Sequence, residues 1–93
     1  MPSYRVLVEG SGFELAGDGG VLIRGFAVTR LVSAASESEA ASNAINRVTE
    51  EWVSGKYAFH NVRPRLEASE VERLTLLGKL TASETGYVFH PET

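Results

Sequence analysis

The stretch from residue 25 to residue 55 constrains this chain most, because a strand pattern there runs directly into an amphipathic helix. Residues 25–34, GFAVTRLVSA, are rich in β-branched and apolar side chains that suit a pleated surface. Ser36 and Glu39 then form the S-x-x-E pattern of a capping box, in which the serine hydroxyl accepts from the third helical N–H. Beyond it Ala41, Ala44, Ile45, Val48 and Trp52 recur at the three- and four-residue steps of one helical face. The spacing predicts a helix over 37–53, closed by a left-handed cap at Gly55. Ala40, Ala41 and Ala44 let its first half approach a sheet closely, whereas Ile45, Val48 and Trp52 need room at the other end. The two layers are therefore expected to splay towards Trp52.

The flanking segments supply the sheet. Residues 4–9 alternate, with Tyr4, Val6 and Val8 on one face and Leu7 on the other between Arg5 and Glu9. Gly10 and Gly12 are expected to interrupt this strand, and the GDGG run at 17–20 to form a turn. A second strand opens near Val21, with Gly25 marking a bulge or bend. Residues 56–65, with Tyr57, Phe59, His60 and Pro64, read as a loop. Two readings compete after Leu66. As a strand, Leu66 and Ala68 alternate and the parity breaks near Glu70, as a bulge would allow. As a helix, Ser69 and Glu72 make a second capping box and Val71, Leu74 and Leu77 line a face. The strand is favoured over 66–74, because Pro64 biases Arg63 to an extended conformation and a lone hairpin needs further strands. A polar turn at 78–86 and a short strand at 86–90, stopped by Pro91, complete the chain. The expected architecture is a single α+β domain over residues 1–93 in the order β-β-α-β-β. One helix packs on a mainly antiparallel four-stranded sheet.

This order raises a covering problem. One helix spans roughly 10 Å, whereas four strands spaced about 4.8 Å apart present nearly twice that width. Both faces of the first two strands carry apolar groups, so one set, with Leu7, Ala27 and Leu31, is left over. Apolar surface of that kind marks an interface. A second copy of the chain is the expected cover, making a homodimer, with a further protein partner engaged through the sheet. The competing cover is Leu76, Leu77, Leu80 and the Tyr57/Phe59 loop folded back over the sheet.

Composition narrows the function classes. The chain has no cysteine, which excludes disulfides, thiolate catalysis and cysteine-ligated metal. A net charge of −3 argues against a nucleic-acid partner, since phosphate neutralisation needs a concentrated basic surface. The first residues lack the basic-then-apolar order of a signal peptide, and no apolar run reaches membrane length. A cytoplasmic protein without a membrane partner is expected.

The chemistry-bearing residues are sparse. His60 and His90 are the only histidines, and neither forms a helix-spaced ligand pair, so no metal site is assigned. Glu67, Glu70 and Glu72, interleaved with Arg65 and Arg73, fit a solvated face or a cross-strand charge ladder better than acid–base catalysis. The glycine runs lack the Gly-Lys-Ser/Thr ending of a phosphate loop. Arg30 interrupts an apolar strand, and on the covered side of the sheet it must find a carboxylate or a ligand anion. With Ala27, Thr29, Leu31 and Ser33 as the covered set it is simply exposed, and that is the favoured reading. No catalytic set and no cofactor are assigned. The first expectation is a non-enzymatic interaction module. The alternative is a small cofactor-independent enzyme or ligand binder with a pocket between helix and sheet, where Arg30, Trp52, His60 and Tyr87 are the ligand-binding candidates.

Two resemblances bear on these expectations. The Gly25–Arg30 segment, the Ser36/Glu39 helix start, Pro64-Arg65-Leu66-Glu67 and the closing Gly86-Tyr87-Val88-Phe89-His90-Pro91-Glu92 together resemble small uncharacterised bacterial proteins described as domains of unknown function. That likeness implies no activity. Residues 33–52 resemble the core of HicB-type antitoxins, where a strand leads into a helix with an acidic cap. In that family the antitoxin binds a small RNase toxin, so this resemblance implies a protein partner and no particular functional residue.

Overall fold

A computed structural model describes residues 2–16, 22–55 and 63–91. The expected turn at 17–20, the start of the second strand at Val21, and the loop residues Tyr57, Phe59 and His60 lie outside the described residues. The fold is α+β: a main helix rests on one face of an antiparallel sheet. Its elements are β1 (Ser3–Ser11), β2 (Leu15–Ala16), β3 (Leu22–Ser33), α1 (Glu37–Ser54), β4 (Arg65–Arg73), α2 (Leu76–Thr81) and β5 (Val88–Pro91). β3 pairs with β1, β1 with β4, and β5 with the other edge of β3, all antiparallel. The four main strands therefore lie in the order β5-β3-β1-β4, with the two-residue β2 also paired to β3.

Alternation along β1 decides which face α1 covers. Tyr4, Val6 and Val8 are buried together with Phe26 and Val28 of β3. Against them α1 sets Ala40, Ala44, Val48 and Trp52, one residue from each successive turn. The small alanines bring the helix close at one end, and the tryptophan fills the widening gap at the other. Ser36 caps the helix as its sequence pattern predicts, its hydroxyl accepting from the Glu39 N–H at 3.2 Å. The opposite face of the sheet carries Arg5, Leu7 and Glu9, with Ala27, Thr29 and Leu31 beside them.

Several expectations are corrected. Gly10 does not interrupt β1 but pairs with Phe26 inside the ladder. The Phe26 ring lies flat over it, so a Cβ at this position would meet ring carbons at 2.2 and 2.4 Å. Gly55 closes α1 without entering the left-handed region, at φ −92. Its N–H bonds the Glu51 carbonyl, and a Cβ there would approach that oxygen to 2.4 Å. Close approach, rather than a positive φ, calls for glycine.

β4 is a strand, and the parity break is a bulge. The register on β1 jumps between Leu7 and Val8, which pair with Glu70 and Ala68 and leave Ser69 unpaired. That single extra residue returns Val71 to the helix side with Leu66 and Ala68. The stretch 78–86, read as a polar turn, instead begins inside a second helix, α2, whose N-cap Thr75 accepts from the Gly78 N–H at 3.0 Å. Ser69, the cap in the competing helical reading, belongs to the bulge.

Candidate functional site

Two regions concentrate polar or unusual side chains, one on each face of the sheet. The first surrounds Arg30. Strand alternation from Phe26 and Val28 carries Arg30 to the helix side, where only 8% of its surface is exposed. The carboxylate it requires there is Glu51 of α1. Arg30 Nε donates to both Glu51 oxygens, at 3.2 and 3.0 Å, and Nη2 donates to Oε1 at 2.6 Å. Its Nη1 donates to the carbonyls of Thr29 and Thr85, at 2.9 and 2.7 Å. The Tyr87 hydroxyl donates to Glu51 Oε1 at 3.0 Å, and the Arg30 guanidinium carbon lies 5.5 Å from the centre of the Tyr87 ring. One turn before Glu51, Arg47 donates from Nε to Oε2 at 3.2 Å and grips Glu84 with its remaining nitrogens. Glu84 in turn accepts from the Leu31 N–H at 3.0 Å.

This network ties β3, α1 and residues 84–87 together. Its electrostatics follow from the pairing. The Arg30 hydrogen bonds hold the Glu51 carboxyl below its ordinary range, outweighing the opposing effect of burial, and the Tyr87 hydroxyl assists. Arg47 does the same for Glu84. Both carboxylates are thus committed as acceptors and the arginines as donors. No buried side-chain nitrogen or oxygen among the described residues lacks a partner. The arrangement is chemically suited to fixing a chain segment, since it presents no free base or nucleophile.

Of the four residues predicted to bind a ligand, the structure brings Arg30, Trp52 and Tyr87 together, while His60 lies outside the described residues. Trp52 stacks on Phe26 with centroids 5.2 Å apart, and Phe13 and Tyr87 close around it at 5.4 and 6.3 Å. Aromatic rings therefore fill the predicted wedge. A groove of about 170 Å³ does lie beside Trp52, but it opens towards Val53, Pro64 and Leu66 and touches neither Arg30 nor Tyr87. Glu51, Arg47 and Glu84 were not singled out from the sequence. The four-residue spacing of Arg47 and Glu51 was the available signal, and it reads equally well as a surface pair.

The second region is the face away from α1. Leu7, Ala27 and Leu31, the predicted interface residues, are half-buried there. The cover comes partly from the crossing between β4 and β5. Leaving Arg73 at one edge, the chain forms α2, and residues 81–85 then pass over this face to join the far edge of β3. Thr85 N donates to the Thr29 carbonyl, and the Thr85 hydroxyl accepts from Thr29 N. Between this strap and the sheet lies a groove of about 340 Å³, floored by Leu7, Thr29 and Glu70.

The most exposed large apolar side chains among the described residues lie on α2. Leu76, Leu77 and Leu80 are 77%, 72% and 76% exposed, and their one-, three- and four-residue spacing puts them on one side of the helix. Carboxylates line the β1–β4 half of the face. Glu9 sits directly opposite Glu67, and Glu70 and Glu72 follow along β4. Arg5 pairs with Glu72, whereas Glu9, Glu67 and Glu70 have no ion-pair partner among the described residues.

Comparison with protein-family models, with curated proteins and with solved structures finds no match. Among the described residues no group of three or more potential ligands could hold a metal ion, and no helix is long and apolar enough to cross a membrane.

Proposed function

We propose that this protein is a non-enzymatic interaction module that docks another polypeptide on the sheet face opposite α1. One observation carries the reading: a short helix capped at both ends displays three leucines each more than 70% exposed. Isolated surface leucines are ordinary, but three on one side of a single short helix form a contact surface. The Arg30–Glu51 network supports the same reading, because its groups satisfy one another and stiffen the segment that follows α2. A second copy of the chain is one occupant this surface would accept, which makes a homodimer through α2 rather than through Leu7, Ala27 and Leu31. The cysteine-free composition suits a reducing cytoplasm, where we place the protein.

The test compares the wild type with a Leu76→Ser, Leu77→Ser, Leu80→Ser triple variant. Light scattering reads self-association, and co-purification from the source cells reads heterologous partners. The expected result is a mass or a retained protein that the triple variant loses while its melting temperature is unchanged. Equal mass and equal retention in both proteins would sink the proposal.

A further inference from the structure

The interaction reading leaves the chemistry of the partner open, and the placement of charge around α2 narrows it. The leucine ridge does not stand in neutral surroundings. Residues 81–83, which follow Leu80 directly, line the strap groove together with Glu70 and with the paired Arg5 and Glu72. Glu67 and Glu9 continue the same row along β4 and β1. An antiparallel pair that sets two glutamates directly opposite each other is unfavourable unless something else compensates. Arg65 and Arg73 flank the row on β4 but make no ion pair with it among the described residues, Arg5 is taken by Glu72, and Arg24, Arg30 and Arg47 pair with other glutamates.

We propose that this face binds a basic amphipathic segment of another protein. The apolar side of that segment packs on Leu76, Leu77 and Leu80, and its lysines or arginines lie over Glu67 and Glu70. One long cationic side chain fits the groove: its stem passes Leu7 and Thr29, and its head meets the Glu70 carboxylate. Charge complementarity selects a different protein over a second copy, which would bring the same −3 charge and the same acidic row to the contact. This inference rests on the interaction reading above and can fail without it.

The probe is a synthetic helical peptide with leucine on one side and lysine on the other, followed by fluorescence anisotropy. Its counterpart replaces every lysine by glutamate. The leucine–lysine peptide should bind saturably, and binding should weaken as salt rises from about 0.05 to about 0.5 M. Glu70→Lys should weaken it about tenfold and Leu77→Ser to a similar degree, these being central to the contact. Glu50→Lys, which reverses one exposed charge on α1, should leave binding unchanged and so controls for simple attraction to an acidic protein. Four results would overturn the inference. Equal binding of both peptides would mean that apolar contact alone selects the partner, and the interaction reading would stand. Binding insensitive to Glu70→Lys would place the peptide elsewhere. A wild-type dimer that Leu77→Ser dissociates would give the ridge to a second copy. No binding of either peptide overturns the basic partner, and if the triple leucine variant is also indistinguishable from wild type, the interaction reading falls with it.

Discussion

The two faces of this sheet solve opposite problems. Under α1 every polar group that enters the interior arrives with its partners, so Arg30 is buried without cost left uncompensated. On the other face, leucines are held out in water and carboxylates stand side by side. A chain whose only concern was stability would distribute these residues differently. The contrast teaches that the α1 face holds the β3–α1–β5 frame together, whereas the α2 side leaves apolar side chains exposed, the feature on which the proposed interaction role rests.

The largest effect that can break this contrast is expected at Trp52. Its ring is 2% exposed and touches the Phe13, Phe26 and Tyr87 rings, so the site has little freedom to collapse. Trp52→Ala should cost about 3–5 kcal/mol in chemical denaturation. A loss below about 1 kcal/mol would show that the aromatic cluster is not the centre of the core.

The Arg30–Glu51 pair comes next. Glu51→Gln keeps the shape but removes the charge that Arg30 faces, leaving a guanidinium buried beside a neutral amide. The cost should approach about 3 kcal/mol, as for other broken buried pairs. Arg30→Leu combined with Glu51→Gln should recover part of it, because the uncompensated cation is gone. Acid sharpens the same point. Folding lowers the carboxyl pKa of Glu51 and Glu84 from the ordinary 4.5, so their stabilising effect is fully present above that value. It is lost as pH falls through the lower, folded-state values. Melting temperature should therefore drop on acidification below about pH 4.5, and the drop should be shallower in Glu51→Gln. Parallel acid limbs in the two proteins would remove the ion pair from the account.

How much of this was legible in the sequence depends on how local each signal is. The β3–α1 passage declared itself because the cap, the helical spacing and the β-branched run all lie within thirty residues. The bulge in β4 was legible too, since a single extra residue has to flip the alternation between Ala68 and Val71. The favoured reading of Arg30 as an exposed residue is corrected, because the helix covers the Phe26/Val28 face and buries it. The need for a carboxylate was legible only for that case, and its partner was not. Glu51 sits 21 positions away on a helix whose exposed glutamates look alike, and only the register of α1 on β3 selects it. Tyr87 was marked as a pocket residue for its chemistry, but its hydroxyl serves Glu51 and its ring serves the core. The role of α2 was hidden for a different reason. A six-residue helix offers less than two turns of periodicity, so LLGKLT reads as readily as the end of a strand and a turn.

The smallest expected effect is the one that most sharpens the comparison. Leu76→Ser, Leu77→Ser and Leu80→Ser remove side chains that make little contact within the chain, so each should change unfolding free energy by no more than about 0.5 kcal/mol. Apolar groups of this size would stabilise the fold by about 1.5–3 kcal/mol each if they were buried. The contribution is available to the chain and is left unused by it. Denaturation of the isolated protein at low concentration reads this directly. If any one of the three serine variants loses more than about 1 kcal/mol, that leucine already has a home within its own chain. The α2 face would then be part of the fold's interior economy, and its difference from the α1 face would be one of degree.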